Sequence, residues 1–452
     1  MGLFRKKDKE ERPAKPGATA AGEALLAQVD KAVRANPYDP VAWNNKGFAL
    51  GEASRFEEAI ACYDKAIGTQ PDYKEAWNNK GFALGSMGEL DEAMKCYDRA
   101  LQLDPKYADA WNNKGNALYN MQRIDEAIEC FDRAIACDPR YDRAWYNKGS
   151  ALGALKRFEE AVVCYDRAIE INPSYEKAWN NKGNALYGLK RIEDAVACYG
   201  EALKVDPAFK QAWNNKGNAL YALGTLLFAE GRWVDGKAKM EAALEGYASA
   251  LKVDPSYVRA IYNQGNALVN LYRIDEAVQA YDRLLRLEET NANAWVNRGF
   301  ALTAKGQHME ALASLDRGLR LDPGRAAGWT YRGTCLSAVG RGREALASFD
   351  AALEVDPELA DAHSGKGREL YLAQDMAGAL ACLDRAVDLD PSVAEAHMWR
   401  YAVLGALGRN REAAEARERA RALDPGLEEP GFQGEAAKAP RPVKWARLVG
   451  PE

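Results

Sequence analysis

Histidine is almost missing from this chain: of 452 residues only His308, His363 and His397 are imidazoles. They stand far apart in the sequence, with no acid, serine or cysteine at catalytic spacing beside them. The chain also has no GxxxxGK[ST] phosphate loop, no GxGxxG after a strand, no HExxH and no paired CxxC. No catalytic residue, metal site or cofactor is therefore expected, and the chain is read as a non-enzyme. Long apolar runs are missing as well. The longest, around residues 219–229, falls short of the ~20 residues that span a bilayer, so no membrane insertion is expected. A strong charge of either sign is lacking: 61 basic and 66 acidic residues leave a net −5. Evenly interleaved charge of that size gives no reason to expect nucleic acid as a partner. The opening "MGLFRKKDKEERPAKPGA" has basic residues but no apolar stretch or cleavage site after them, so a cytoplasmic location is the expectation. Met1-Gly2 opens like a myristoylation site, but Lys6 stands where that pattern wants Ser or Thr, which leaves a solvated tail.

What the chain has in abundance is repetition. "AWNNKG" occurs at 42–47, 76–81, 110–115, 178–183 and 212–217, with "AWYNKG" at 144–149, so that Trp43, Trp77, Trp111, Trp145, Trp179 and Trp213 are 34 residues apart. A fixed period of this size marks a stack of small units rather than one globular core. Five of the eight cysteines, Cys62, Cys96, Cys130, Cys164 and Cys198, share the period. Units stacked roughly 8–10 Å apart hold such positions beyond disulfide reach, which predicts reduced thiols.

Within one unit Trp43, Gly47 and Leu50 fall at i, i+4 and i+7, one face of a first helix. A mid-helix glycine costs ~1 kcal/mol relative to alanine, a cost explained if another helix approaches there. Ala59, Ile60, Tyr63, Ala66 and Ile67 mark the apolar stripe of a second helix, which Pro71 stops. The turn between the two lies near "EASR". Each unit is a hairpin of antiparallel helices that buries its faces only by stacking on neighbours.

Trp43, Gly47, Leu50, Ala59, Tyr63, Ala66 and Pro71 resemble the tetratricopeptide repeat (TPR), whose pattern is Trp, Leu-Gly, Tyr, then Ala, Phe and Pro. The resemblance implies an all-α solenoid (TPR superhelix) of eleven units starting at 40, 74, 108, 142, 176, 210, 258, 292, 326, 360 and 394, plus an N-terminal half repeat. The expected organisation is a disordered tail over 1–20, a capping helix over 21–39, the units over 40–427 and a flexible tail over 428–452, in which "PVKWARLV" reads as a docking peptide or a segment folding back. The unit over 210–257 carries 14 extra residues around "TLLFAEGRWVDGKA", read as a two-turn extension of both helices about Gly231. Its Leu226, Leu227, Phe228 and Trp233 either zip the extension together or face a partner. His363 and His397 replace the tryptophan of their units, and the last unit has Tyr401 where glycine is expected.

Lys46, Lys80, Lys114, Lys148, Lys182 and Lys216 follow each tryptophan by three residues, where the family has leucine. Their stems are read as lying on the tryptophans, with the ammonium groups as a solvated row in preference to a ladder with Asp64, Asp98, Asp132 and Asp166.

The candidate site is an asparagine row. Asn45, Asn79, Asn113, Asn147, Asn181, Asn215, Asn263 and Asn297 each follow the tryptophan position by two residues, about 200° round the helix, and so line an open face. Asn44, Asn78, Asn112, Asn180 and Asn214 precede them. Asn116, Asn184, Asn218 and Asn266 widen the stripe, and Tyr119, Tyr187 and Tyr221 add amphipathic area. An amide donates and accepts, so it satisfies both groups of a peptide bond without demanding a side chain. The row resembles the concave surface of the repeat arm of O-linked N-acetylglucosamine transferase, which implies an extended peptide held in a groove. Two alternatives stand beside it: amides that bond only one another in a structural assembly scaffold, and a co-chaperone-like site for partner C-termini. The latter needs lysine directly after the tryptophan, where this chain has Asn44, Tyr146, Tyr262 or Val296. The expected partner is a protein or peptide of unknown identity, and nothing in the sequence sets an oligomeric state.

Overall fold

The structure, a computed structural model, describes residues 20–427 and Glu429. The expectations for the N-terminal tail and for "PVKWARLV" lie outside the described residues. Twenty-three helices and no strand occur among the described residues: one leading helix, Ala20–Ala35, and eleven hairpins. The chain divides into two bodies, residues 1–219 and 220–452, each a stack of hairpins, with the division inside the helix Lys210–Ala229.

One hairpin shows why the sequence folds this way. The first helix, Pro40–Glu52, is capped by Asp39, whose carboxylate accepts from the Val41 amide. Its Gly47 lies under the Tyr63 ring of the second helix, Phe56–Thr69: a Cβ there would stand 2.6 Å from the ring. The pairing recurs as Gly81–Tyr97, Gly115–Phe131, Gly149–Tyr165, Gly183–Tyr199, Gly265–Tyr281 and Gly333–Phe349. Each such ring is buried and contributes about 2–3 kcal/mol of apolar burial. In the last hairpin the aromatic changes helices. Tyr401 fills the glycine place, and Arg417, where the ring would be, lies over it at 5.6 Å.

Every hairpin turn ends in a left-handed residue. Five are glycines, Gly88, Gly231, Gly306, Gly340 and Gly408; six are not, Ser54, Gln122, Lys156, Lys190, Tyr272 and Gln374. At the far end of the second helix an Asx turn redirects the chain, as where Asp104 accepts from the Lys106 amide at 2.9 Å.

The 14 extra residues are shared equally. The helix Lys210–Ala229 has 20 residues and Trp233–Val253 has 21, against 13 and 14 in the first hairpin. Gly236 admits the Phe228 ring, which stacks on Trp233 at 5.3 Å, and Leu227 is buried. Leu226, Trp233 and Val234 remain exposed at the tip.

Candidate protein-interaction face

Within the first body the first helices of units one to five each come close to the next, while the backbones of successive second helices stand farther apart. The first helices are therefore the closer-set, inner side of the stack. Helical spacing puts Val41, Asn45, Phe48 and Glu52 on one stripe of the first of them, and all four are exposed. The matching stripe of the third unit is Asp109, Asn113, Asn116 and Asn120.

The asparagines form a ladder along this side. Asn79 Nδ2 donates to Asn44 Oδ1 at 3.0 Å, Asn113 to Asn78 at 3.0 Å, and Asn147 to Asn112 at 2.8 Å. Asn181 donates to the Tyr146 hydroxyl at 3.0 Å, and Asn215 to Asn180 at 3.0 Å and Asn184 at 3.2 Å. The acceptors Asn44, Asn78, Asn112 and Asn180 are buried between successive first helices; Asn214 is buried as well. The Oδ1 atoms of Asn113, Asn147 and Asn215 accept no hydrogen bond among the described residues, so each amide keeps an acceptor; Asn113 and Asn147, which use one N–H in their rung, keep a second N–H as well, whereas Asn215 donates to two oxygens. Beside them Asn184 is oriented by the Tyr199 hydroxyl, which donates to its Oδ1 at 2.8 Å. Tyr119 and Tyr187 are half-buried, and burial raises both phenol pKa values, keeping the hydroxyls neutral.

Four of the sequence-derived candidates lie in the interior. Asn218 and Tyr221 are buried. Asn263 and Asn266 are 0% exposed. In the second body Asn266 Oδ1 takes the Tyr281 hydroxyl at 2.7 Å and Asn297 Nδ2 at 3.1 Å, and Tyr221 bonds Asn270, so this stretch of the row is closed in. Asn297, half-buried, also donates to the Tyr262 hydroxyl at 3.0 Å.

The lysine row corrects the expectation of solvated charges. Lys80 pairs with Asp64, Lys114 with Asp98 and Lys148 with Asp132, all at 2.6 Å, and Lys182 with Asp166 at 2.5 Å. Each ammonium also lies 5.4–6.0 Å from the centre of its tryptophan ring. The indole fixes the stem, which lowers the entropy lost when the cation meets the aspartate one unit back. The rung is missing for Lys216, which faces Gly200 in that register, and Ala248 likewise stands opposite Gln264. The cysteine beside each paired lysine is buried. All eight cysteines are free thiols, and burial pushes Cys96, Cys130, Cys164 and Cys198 up to about 11.

The tryptophans hold the joints. Trp77 Nε1 donates to the Pro71 carbonyl at 3.0 Å, and the same bond joins Trp43 to Pro37, Trp111 to Pro105 and Trp179 to Pro173. His363 and His397 keep it, each with Nε2 3.0 Å from the carbonyl of Pro357 or Pro391. Two histidines are thereby structural. Sequence reasoning missed the exposed Phe48 and Phe82, whose signal is their place three residues after the outer asparagine.

No helix among the described residues is long and apolar enough to cross a membrane, and no cluster of three metal-ligating side chains occurs among them. No curated protein matches the chain. Among solved structures it is similar to MamA (25% identity over 36% of this chain and 94% of that one, TM-score 0.33). It is similar to YrrB, described as a TPR protein with an unusual peptide-binding site (21% identity, 41% and 96% covered, TM-score 0.33). Yeast Tom70 covers more of it (14% identity, 85% and 92% covered, TM-score 0.39). Family profiles described as tetratricopeptide repeat match residues 40–73, 108–141, 142–175 and 176–209, and 222–294, 262–326 and 332–394; one described as TPR repeat matches 84–122. Hairpin, aromatic-on-glycine core and profile agree, and the chain belongs to the tetratricopeptide-repeat family of protein-interaction scaffolds.

Proposed function

We propose that this chain is a cytoplasmic, non-catalytic scaffold that holds an extended segment of a partner protein along the first helices of its first body. The supporting observation is the spare acceptor of Asn113, Asn147 and Asn215, joined at Asn113 and Asn147 by a spare N–H, at places set by the unit spacing. An extended backbone rises ~3.3 Å per residue, so one amide per unit, roughly 8–10 Å apart, meets about every third peptide group. The ladder itself favours a second reading, in which the amides are only glue between units.

The test is to capture partners with the full chain and tile a captured protein as overlapping peptides of about 15 residues, long enough for five units at that rise. A contiguous peptide that binds, and binds more weakly to the Asn113→Ala, Asn147→Ala, Asn181→Ala triple variant, supports the proposal. Binding that needs a folded domain of the partner and ignores the amides overturns it.

A further inference from the structure

The face just described is not uniform along its length. Phe48 and Phe82, 55% and 56% exposed, occupy the same place on the first helices of units one and two, which touch each other. In units three to five that place holds Asn116, Ser150 and Asn184. Two neighbouring exposed rings on the inner side make an apolar step that the other units lack. At the start of the same stripe the sign of charge changes. Units two and three carry Glu75, 3.8 Å from Lys74, and Asp109, which accepts from the Tyr141 hydroxyl at 2.6 Å. Units four and five carry Arg143 and Lys177, both exposed and without a side-chain partner among the described residues. Other cations of these units are engaged, Lys148 with Asp132, Lys182 with Asp166, and Arg157 in a two-pronged bond with Glu160 at 2.6 and 2.7 Å, while the exposed Lys156 and Lys190 sit in the hairpin turns, off this stripe.

We propose that the groove selects an extended segment with two apolar side chains about three residues apart and an acidic side chain about six to nine residues beyond them, at ~3.3 Å per residue over units roughly 8–10 Å apart. This rests on the peptide reading above and adds to it. The rings of Phe48 and Phe82 cover the apolar pair, Asn113 and Asn147 hold the backbone between, and Arg143 and Lys177 take the carboxylate. The acids of units two and three disfavour the reversed direction, because a carboxylate would then lie beside Glu75 or Asp109.

The experiment is selection from random displayed peptides of about 16 residues, long enough for five units, on the full chain. Baits are the unaltered chain, Phe48→Ser with Phe82→Ser, Phe48→Leu with Phe82→Leu, and Arg143→Glu with Lys177→Glu. All four positions are exposed, so circular-dichroism melts should coincide. The expected pool from the unaltered chain carries the apolar pair and the acid at that spacing. The serine bait loses the pair, the leucine bait keeps it, and the charge-reversed bait selects Lys or Arg instead of acid. A synthetic peptide of the selected sequence should bind each failing variant about tenfold more weakly, a change of 1.4 kcal/mol. A pool without this spacing, whose binding still depends on Asn113, Asn147 and Asn181, overturns the selectivity and leaves the groove standing. No enrichment on any bait overturns both.

Discussion

The two bodies use one hairpin to opposite ends. In the first body the stripe on the first helices stays open: Asn113, Asn116, Asn147 and Asn184 are half-exposed and Phe48 and Phe82 stand out. In the second the same places are shut. Phe300 and Tyr331 are buried and stacked at 4.8 Å, Trp399 packs on Tyr371 at 5.7 Å, and Arg368 lies buried against Glu369 and Glu395, both contacts at 3.3 Å. The ladder cation changes too. Lys gives way to Arg298 and Arg332, whose guanidinium forks reach Asp282 and Asp316 and also Ser314 and Ser348, at the places that hold cysteine beside the lysines. A planar fork has a second N–H to satisfy and takes a hydroxyl, whereas an ammonium leaves room for an apolar thiol. One repeat thus yields a face for others where its polar groups are half-spent, and a closed core where they are used up.

The sharpest way to break this contrast is Arg368→Met. It strands the buried Glu369 and the half-buried Glu395 without their cation, and breaking a buried pair in this way costs about 3–5 kcal/mol; urea denaturation should show the loss, and a neutral result would mean the cluster is wetter than described. Next, the triple variant Asn113→Ala, Asn147→Ala, Asn181→Ala removes three ladder bonds at about 1 kcal/mol each, slightly offset because alanine is the better helix former. It should melt lower and also bind a peptide partner more weakly, while Asn263→Ala with Asn266→Ala should lower only the melting point. If the second pair weakens ligand as much as the triple, the closed face is not closed.

Exchanging the ladder cations has a smaller effect. Arg298→Lys loses the bond to Ser314, about 1 kcal/mol, whereas Lys114→Arg gains no comparable acceptor beside Cys130 and should change stability by less; differential scanning calorimetry of the pair decides it. The smallest effect is in pH. The raised thiol pKa values mean that Cys96, Cys130, Cys164 and Cys198 are neutral at pH 8 and slow toward iodoacetamide in the native state. A group whose folded pKa is raised stabilises fully below its unfolded value, here an ordinary 9.0, and loses that contribution as pH rises toward about 11. The thiol contribution to the stability of the first body should therefore be flat from neutral pH to about pH 9 and decline above it, and fast alkylation at pH 8 would contradict the burial.

Period, hairpin and glycine place were legible because they repeat: the place of Ala59 holds alanine in all eleven units, and those of Gly47 and Pro71 hold glycine and proline in ten each. The site was legible only in part. Asn45 and Asn263 sit at the same place in their units, and nothing local separates them; what closes the helix of Asn263 is tertiary, Tyr221 bonding Asn270 and Tyr281 bonding Asn266 from other helices. The lysine ladder was misread for a related reason. Its partner lies 16 residues back, across a turn, and whether an exposed pair forms depends on how tightly the stem is held, which the tryptophan decides. The exposed phenylalanines look in sequence like core.

In the first body the tryptophan, lysine and asparagine joints between units all point one way. Trp77 reaches back to Pro71, Lys80 to Asp64 and Asn79 to Asn44. A unit does not finish itself; the first helix of its successor supplies the donors for its closing carbonyl, its aspartate and its buried amide. On a ribosome, where the chain emerges from its N-terminal end, the newest unit is always unfinished until about a dozen further residues have appeared and coiled, the length of one short helix. Completion then travels along the nascent chain as a front half a unit behind synthesis, and a stall anywhere leaves one exposed joint rather than an unfolded protein, because each unit depends only on its neighbours.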